Sequence, residues 1–379
     1  MQLIQGRRIW DRTRTADDEH PRMELTDLVR FKGAWYCSFR EGMIHDNHPS
    51  GRGRIIRSRD GEQWETSALF DWDGADVREP KFSVTSEGRL MVNTAIYFCS
   101  REPRVGGHYY RLDEPGTPES DAEPNVGRQS VTWLSNDGER WSGVYACPSG
   151  VNTWRWDVSW YNGMGYCFGY GGKDKSGTLY RTRDGKSWRP LRTEVYPQGR
   201  GNEASLAFGE DGTAYCLLRD GCLRTTEEDA GRLFRPGEGR ESEKAGPAEV
   251  LGKGLPMFGI GKAPYYQDWE WQPLRVDYGP EFGGVRPAGE LFRAPFAGPK
   301  LLRLRDGRLL AACRMLGPAR DDGRITLFKF DPVEAVLTVF AECDGTTYGS
   351  IVEHEGKIWV SYASSDVSSV HLANVEAPA

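Results

Sequence analysis

Short apolar segments alternate with polar turns along the whole chain, and no apolar spacing of 3.6 residues continues for more than a turn or two. Six times, an apolar segment is followed by a polar residue, a glycine and a second apolar segment, which is typical of a β-hairpin. The six turns are Lys32-Gly33, Glu87-Gly88, Asn162-Gly163, Asp211-Gly212, Asp306-Gly307 and Glu355-Gly356. Intervals of about 50 residues or more between them are typical of a repeat architecture. The pattern therefore predicts a nearly all-β chain built from six hairpin units.

A second repeat combines Asp-Gly with tryptophan. The pattern Ser/Thr-x-Asp-Gly-x-x-Trp occurs at residues 58–64, 135–141 and 182–188, each time after a strand-like segment. Asp-Gly in this position predicts a tight turn, because glycine adopts positive φ and the aspartate side chain bonds back to the turn backbone. The tryptophan is expected to fold over the turn and bury its ring between neighbouring sheets.

These three copies resemble the Asp-box, or BNR repeat, of the sialidase (neuraminidase) superfamily, whose members are six-bladed β-propellers. The resemblance implies that residues 1–379 form one all-β domain, a six-bladed β-propeller with Asp-box turns. Residues of about 100–125 and 225–298 are expected to be insertions. Residues 6–10 are expected to pair with strands near residues 370–373, which closes the ring and covers open sheet edges.

The composition limits the classes of binding partner that the sequence indicates. The net charge of −6, with 27% charged residues mixed along the chain, indicates neither a nucleic-acid nor a membrane partner. There is no apolar run of about 18 residues and no apolar signal core at the start, so we expect a cytoplasmic protein. A secreted or periplasmic location stays open if a leader has been removed. The eight cysteines contain no Cys-x-x-Cys pair and are expected to be reduced. No cofactor is predicted, and the oligomeric state stays open.

Three arginines occupy equivalent places in different hairpins. Arg40, Arg219 and Arg314 each come at the end of the second apolar segment of a hairpin. The inner strands of a propeller end around one mouth of the central channel, so these side chains are expected to converge there. Guanidinium groups fit the two oxygens of a carboxylate, so we predict that the three arginines bind a substrate carboxylate. Taken singly, each is also typical of a solvated strand end.

Two residues resemble the catalytic pair of sialidases. Tyr348 lies in Thr-Thr-Tyr-Gly-Ser before the last hairpin, and Glu203 lies in Gly-Asn-Glu-Ala-Ser before the fourth. The resemblance implies that Tyr348 is a nucleophile that attacks the anomeric carbon, with Glu203 as its base. A packed tyrosine and a turn carboxylate are the alternatives.

The acid/base residue is expected in the loop after the first hairpin. Sialidases place an aspartate there, and His45 and Asp46 both fit that position. A histidine suits the role because it titrates near neutral pH. A metal site is not predicted, because no further His or Cys cluster completes one.

The chain departs from sialidases in one place. Their first carboxylate-binding arginine lies in an Arg-Ile-Pro segment before the first strand. The corresponding residues 22–29 hold Arg22 out of register, with Glu24 and Asp27 at neighbouring positions.

Further polar residues are expected at the mouth because they lie at or just before inner strands. These predicted substrate-binding residues are Asp27, Arg78, Glu79, Arg155 and Asp157. Trp154 and Trp156 lie beside them, and tryptophan rings often stack on sugar faces.

The sequence leaves three functions open. The first is a sialidase-like exo-glycosidase, a glycoside hydrolase that removes a terminal, anionic sugar from a glycan. The second is a polysaccharide lyase acting on a terminal uronate, and the third is a non-catalytic propeller that binds glycans or a protein. A hydrogen bond between Tyr348 and Glu203 favours an enzyme over a binding module.

Overall fold

The computed structural model describes residues 2–15, 20–45, 47–103, 109–111, 127–171, 177–196, 201–219, 256–280, 283–287, 297–316 and 323–378. In these ranges almost all regular structure is β-strand, with one 3-10 helix at Arg12–Arg14. The nearly all-β prediction is therefore confirmed. No helix within the described ranges is long and apolar enough to span a membrane.

The strands form six sheets that follow one another along the chain as the blades of a propeller. Two strands precede blade one: β1 (Gln2–Ile4) and β2 (Arg7–Asp11). Blade one contains β3 (Arg22–Phe31), β4 (Ala34–Gly42), β5 (Arg52–Ser58) and β6 (Glu65–Phe70). Blade two contains β7 (Ala75–Val77), β8 (Lys81–Val84), β9 (Leu90–Pro103), β10 (Tyr109–Arg111), β11 (Arg128–Ser135) and β12 (Tyr145–Val151). Blade three contains β13 (Thr153–Arg155), β14 (Ser159–Tyr161), β15 (Met164–Gly171), β16 (Thr178–Thr182) and β17 (Arg189–Thr193).

Blade four contains β18 (Ala204–Phe208), β19 (Ala214–Leu218), β20 (Met257–Gly261) and β21 (Trp269–Pro273). Blade five contains β22 (Arg275–Asp277), β23 (Val285–Pro287), β24 (Ala297–Arg303), β25 (Leu309–Leu316), β26 (Gly323–Asp331) and β27 (Val336–Cys343). Blade six contains β28 (Ser350–His354), β29 (Lys357–Ala363) and β30 (Ser369–Glu376). Each of the six predicted hairpins forms the inner pair of strands of one blade.

The start of the chain closes the ring. Strand β2 pairs antiparallel with β30 as the outermost strand of blade six, with Arg7 opposite Leu372 and Trp10 opposite Val370. The predicted pairing of the two chain ends is therefore confirmed. This pairing covers the β30 edge of blade six with the start of the chain.

The three Asp-Gly turns share one set of hydrogen bonds. In the first copy, Asp60 Oδ1 accepts from the backbone N–H groups of Glu62 at 2.7 Å and Gln63 at 2.9 Å. The N–H of Gly61 donates to Ser58 Oγ at 2.8 Å, and Gly61 has a φ of 74°. The same bonds recur around Asp137 and Asp184. Glycine is required because this φ strains other residues.

The tryptophans of these turns differ in what they contact. Trp64 and Trp188 are buried and donate from Nε1 to the carbonyl oxygen of their own turn glycine. Trp141 is partly exposed, and its Nε1 donates to Ser67 Oγ at 3.4 Å instead. Two of the three rings therefore fold over their own turn, as expected.

The prediction that residues 225–298 form an insertion was wrong for the second half of that range, which contains four strands between residues 257 and 287. Strands β20 and β21 complete blade four, and β22 and β23 join blade five. Residues 257–261 do not look like a strand because glycines interrupt them. Those glycines make room for large rings: a Cβ on Gly259 would lie 2.7 Å from the Trp271 ring, and one on Gly261 would lie 2.7 Å from the Trp269 ring. The predicted insertion at 100–125 starts later, because β9 continues to Pro103; residues 112–126 lie outside the described ranges.

Candidate active site

Several predicted site residues lie at one mouth of the central channel. Glu203 directly precedes β18, the inner strand of blade four, and Arg219 directly follows β19. Tyr348 lies two residues before β28, the inner strand of blade six. The start of an inner strand and the end of its antiparallel neighbour lie at the same edge of a blade. The chain order therefore brings these side chains to the same end of the ring.

Tyr348, Glu203 and Arg219 form a closed set of hydrogen bonds, called the Tyr348 cluster below. The Tyr348 hydroxyl donates to Glu203 Oε1 at 2.7 Å. Arg219 Nη1 donates to the same Glu203 oxygen and to the Tyr348 oxygen, both at 2.8 Å. Glu203 Oε2 accepts from the Gly298 N–H at 2.8 Å. Both oxygens of the Glu203 carboxyl group therefore accept hydrogen bonds.

The environment keeps Tyr348 protonated at rest. Burial, reinforced by the adjacent Glu203 carboxylate, raises its pKa well above that of a free tyrosine, although Arg219 opposes the shift. The phenol can therefore become a nucleophile only if a base removes its proton during attack. Glu203 Oε1 is in position to do so.

A bulge in blade one holds the backbone of Tyr348. The pairing of β3 with β4 shifts register between Glu24 and Asp27, and Leu25 has a φ of 63°. From this bulge Thr26 donates to the Tyr348 carbonyl oxygen through its N–H at 3.1 Å and its hydroxyl at 3.2 Å. Bulges next to active sites often re-aim side chains in this way.

The bulge lies where the chain departs from the sialidase pattern. Leu25, at the bulge, is buried in the apolar cluster that contains Tyr348. Arg22 Nη2 lies 3.4 Å from Glu24 Oε2, so its charge is paired within β3.

Arg40 lies in a buried ion-pair network, whereas the sequence predicted a substrate contact. Its Nε and Nη2 donate to the two Asp76 carboxylate oxygens at 2.9 and 2.8 Å. Its Nη1 donates to Glu24 Oε1 at 3.0 Å and to the Ile44 carbonyl at 2.8 Å. The side chain is fully buried. A substrate carboxylate would have to displace these acceptors, so the geometry favours a structural role for Arg40.

His45 belongs to the edge of the same network. Its Nδ1 lies 2.9 Å from Glu24 Oε2, and half of its side chain is exposed. Burial favours the neutral form of Glu24, but the bond to His45 and the charges of His45, Arg40 and Arg78 outweigh it and lower the Glu24 pKa to about 2. Asp46, the other predicted acid/base residue, lies outside the described ranges.

Arg314 lies close to the Tyr348 cluster. Its Cα is opposite Ala297, the neighbour of Gly298. It shares a strand face with Ala312, which packs toward blade six. The side chain is partly exposed and has no hydrogen bond or ion pair with the rest of the described chain. Arg314 thus remains a candidate for substrate binding.

Asp27 and Asp157 hold a lysine that the sequence analysis missed. Lys300 Nζ lies 2.8 Å from Asp157 Oδ1 and 3.7 Å from Asp27 Oδ1. Asp157 Oδ2 accepts from Ser205 Oγ, and Asp27 Oδ2 accepts from the Phe82 N–H, both at 2.6 Å. This axial cluster of Asp27, Asp157 and Lys300 joins blades one, three and five across the channel. Both aspartates were predicted to bind substrate; the structure instead pairs them with Lys300.

Arg155 points away from the mouth. Its Nη2 donates to the Ser130 carbonyl oxygen at 3.1 Å, and its guanidinium carbon lies 5.0 Å from the Trp188 ring centre. The neighbouring Trp154 and Trp156 face the opposite side, because side chains alternate along extended chain. The predicted substrate contact of Arg155 is therefore not supported, and its charge lies between blades two and three.

Buried aromatic rings pack beside the Tyr348 cluster on the blade-three side. The Trp156 ring centre lies 5.8 Å from that of Tyr348 and 4.8 Å from that of Trp154. Lys81, in the segment predicted to lie at the mouth, places Nζ 4.8 Å from the Trp156 ring centre and 5.9 Å from that of Tyr348. Rings and cations at this spacing attract one another.

Glu79 and Arg78 lie just before the inner strand of blade two, as predicted. Arg78 Nη2 is 3.7 Å from Glu79 Oε1, and Arg78 Nη1 is 3.7 Å from Asp76 Oδ2. Glu79 is 2% exposed, and its Oε2 has no hydrogen-bond partner among the residues described. Burial raises its pKa to about 8; Arg78 opposes the shift and the Glu203 charge adds to it.

No metal-binding group of three or more His, Cys, Asp or Glu side chains occurs in the described part of the chain. The reactive and charged side chains described at the mouth are the Tyr348 cluster, Glu79 and the nearby cations.

No protein-family model matches the chain, and no curated protein matches it. Solved structures do. A protein of unknown function from Dyadobacter fermentans DSM 18053 has a TM-score of 0.65 at 14% identity, covering 98% of this chain and 97% of that one. The α-L-arabinofuranosidase Arb93A from Fusarium graminearum, in complex with an iminosugar inhibitor, has a TM-score of 0.59 at 12% identity, with coverage of 98% and 97%.

The intramolecular trans-sialidase from Ruminococcus gnavus, in complex with oseltamivir carboxylate, has a TM-score of 0.55 at 12% identity, with 93% of each chain covered. At these identities the likeness establishes the architecture. Its structural neighbours include glycoside hydrolases, and the chain has the six-bladed β-propeller fold of arabinofuranosidases and sialidases.

Proposed function

We propose that the protein is a sialidase-like, exo-acting glycoside hydrolase that removes a terminal sugar through a covalent intermediate on Tyr348. The observation that carries the proposal is the 2.7 Å hydrogen bond from the Tyr348 hydroxyl to Glu203 Oε1. A nucleophile in contact with a base is the arrangement that covalent catalysis requires, and a binding module has no need of it. The carbohydrate-cleaving neighbours support a sugar as the substrate.

The reaction follows from the contacts of the cluster. The Tyr348 oxygen attacks the anomeric carbon while Glu203 takes the phenolic proton and the bond to the leaving oxygen breaks. Arg219 Nη1, 2.8 Å from both oxygens, stabilises the negative charge on the phenolic oxygen during attack. Water then attacks the same carbon, and the departing Tyr348 oxygen regains its proton from Glu203. Two inversions give net retention of configuration.

Whether the site favours an anionic or a neutral sugar depends on which arginines are free to contact the substrate. Arg219 and Arg314 favour the anionic sugar that the sialidase resemblance implies, whereas Arg40 is held by Asp76 and Glu24. An anionic substrate therefore meets two arginines instead of three at this mouth.

A proton NMR time course tests the proposal with sialylated, uronate-capped and arabinofuranosyl-terminated oligosaccharides. We expect the wild type to release free sugar from one class, with the retained anomer appearing first. Tyr348→Phe should lower kcat by at least about 1,000-fold, as loss of a nucleophile does in other enzymes. The exposed Tyr265 provides the matched control, and Tyr265→Phe should leave kcat unchanged.

Other outcomes of the same experiment contradict the proposal. The inverted anomer as first product excludes a covalent Tyr348 intermediate. Vinylic proton signals identify a lyase that acts on the uronate. Line broadening of one oligosaccharide without turnover identifies a binding propeller.

A further inference from the structure

Two carboxyl groups near Tyr348 lie in opposite environments. Glu203 accepts hydrogen bonds from Tyr348, Arg219 and Gly298. Glu79 is equally buried, but none of the described residues donates to its Oε2. Its nearest cation, Arg78 Nη2, stands 3.7 Å away, beyond hydrogen-bond distance. When two buried carboxyl groups of one site differ in this way, the one with hydrogen-bond donors suits the role of base and the one without them suits the role of acid.

We propose that Glu79 is the general acid that protonates the leaving oxygen in the reaction described above. The assignment rests on the proposed glycosidase function and adds a catalytic residue to it. A buried carboxyl oxygen without a donor is the form expected of a protonated acid, because an ionised oxygen in that place would lack compensation.

The position of Glu79 fits the role. It enters the mouth from blade two, whereas Tyr348 comes from blade six and Glu203 from blade four. Two residues further along, Lys81 Nζ lies 5.9 Å from the Tyr348 ring centre, so this segment borders the Tyr348 cluster. A retaining glycosidase needs its acid and its nucleophile on different sides of the anomeric carbon.

The charges around Glu79 point the same way. Burial raises the Glu79 pKa to about 8, Arg78 opposes the shift, and the charge of Glu203 adds to it. The group therefore carries a proton near neutral pH, which a general acid requires.

His45 is the competing candidate, and its contacts disfavour it. Its Nδ1 is 2.9 Å from Glu24, whose pKa is lowered to about 2, despite burial, by the bond to His45 and by the charges of His45, Arg40 and Arg78. The His45 ring is therefore already engaged by Glu24, whereas Glu79 Oε2 has no hydrogen-bond partner among the described residues.

The proton transfer balances. The Glu79 O–H proton moves to the glycosidic oxygen as the carbon–oxygen bond breaks and the Tyr348 oxygen bonds to the anomeric carbon. Glu79 is left as a carboxylate beside the Arg78 guanidinium. In the second half it takes a proton from the water that attacks the same carbon, which restores the acid.

Leaving-group dependence tests the assignment with Glu79→Gln. Two substrates share the sugar that the wild type releases, one with a dinitrophenyl leaving group and one with an alkyl leaving group. We expect kcat/KM to fall about 100- to 10,000-fold on the alkyl glycoside, which needs an acid, and less than about 10-fold on the dinitrophenyl glycoside. On the dinitrophenyl glycoside, azide should raise the kcat of the variant, because it attacks the intermediate without needing a base, and yield a glycosyl azide.

Two further variants separate catalysis from folding. Glu79→Asp keeps an acid, so its ratio of alkyl to aryl activity should stay near that of the wild type even if both activities fall. His45→Gln should change both activities by a similar factor. If His45→Gln instead shows the strong leaving-group dependence, His45 is the acid.

A readout without substrate completes the test. An infrared difference spectrum of wild type minus Glu79→Gln at pH 7 should contain a protonated carboxyl band, whereas the matched Glu24→Gln difference should contain a carboxylate band. A carboxylate band for Glu79, or equal losses on both leaving groups, overturns the assignment and leaves the glycosidase standing. A wild type that cleaves no glycoside overturns the proposed function and, with it, the role of Glu79.

Discussion

Replacement of Lys300 by methionine tests whether the axial cluster stabilises the ring. Lys300 Nζ is 2.8 Å from Asp157 and 3.7 Å from Asp27, and both aspartates are buried. Methionine keeps most of the apolar stem but removes the ammonium group. The variant therefore leaves two buried carboxylates without the cation that compensates them.

The magnitude follows from the burial of the cluster. Removal of one partner from a buried ion pair costs about 3–5 kcal/mol, because the other charge stays desolvated. The Lys300 side chain keeps 18% of its exposure, so water reaches the cluster in part. We therefore expect the lower end, a loss of about 3 kcal/mol in the free energy of unfolding at pH 7.

The loss should depend on pH in a defined direction. Burial lowers the Lys300 pKa, but Asp157 and Asp27 outweigh it and raise the pKa above that of a free lysine. A lysine with a raised folded pKa contributes its full stability below about pH 10, so the wild type gains a constant amount from pH 5 to pH 9. In the variant the uncompensated aspartates bind protons on acidification. The deficit of the variant should therefore shrink toward pH 5.

Urea unfolding followed by tryptophan fluorescence at pH 5, 7 and 9 measures the deficit. Lys262→Met is the matched control, because Lys262 is 73% exposed and pairs with a Glu270 that is 72% exposed. It should change the free energy of unfolding by less than about 0.5 kcal/mol. A Lys300→Met loss below about 1 kcal/mol at pH 7, or one that is the same at all three pH values, refutes the reasoning.

The other predictions concern the turns and a second buried carboxyl group. Trp64→Ala should destabilise by about 3–5 kcal/mol, since the ring is 4% exposed, whereas Trp141→Ala should cost clearly less; equal losses in urea unfolding would contradict this. Glu342, which accepts a hydrogen bond from Tyr278, has its pKa raised by burial to about 7. A raised carboxyl pKa means that the free energy of unfolding falls as pH rises from about 4.5 to about 7. Relative to the wild type, Glu342→Gln should therefore be more stable above pH 7 than at pH 4.5. A difference in the free energy of unfolding between variant and wild type that stays constant across that range would contradict this prediction.

Most of the fold could be predicted from the repeats in the sequence. Each hairpin is recognisable from local sequence alone, as two apolar segments around a polar-glycine turn, and the six hairpins predict six blades. Tyr348 and Glu203 could be paired in advance because the sialidase resemblance implies such a pair and both residues precede inner strands, which start at the same edge in every blade.

What the sequence did not predict depends on partners far along the chain. The outer strands of blade four contain Gly259 and Gly261, which look like loop residues until the rings of Trp271 and Trp269 are seen against them. The position of Arg40 in the sequence predicts that it lies near the mouth. It does not show that the guanidinium N–H groups donate to the carboxylates of Asp76 and Glu24.

No local sequence pattern marks Lys300, because its ion pairs are made with aspartates from two other blades. For Arg155 the error had a local cause: strand alternation turns it away from the face of its tryptophan neighbours.

The contact between Thr26 and the Tyr348 carbonyl joins the first blade to the last, so the proposed nucleophile is attached where these two blades meet. Separation of these two blades would release Tyr348 while the remaining sheets keep their hydrogen bonds. Loss of activity should then precede loss of the circular dichroism signal in mild denaturant. A circular permutant with its ends in blade three would move the opening away from Tyr348, and its two transitions should coincide.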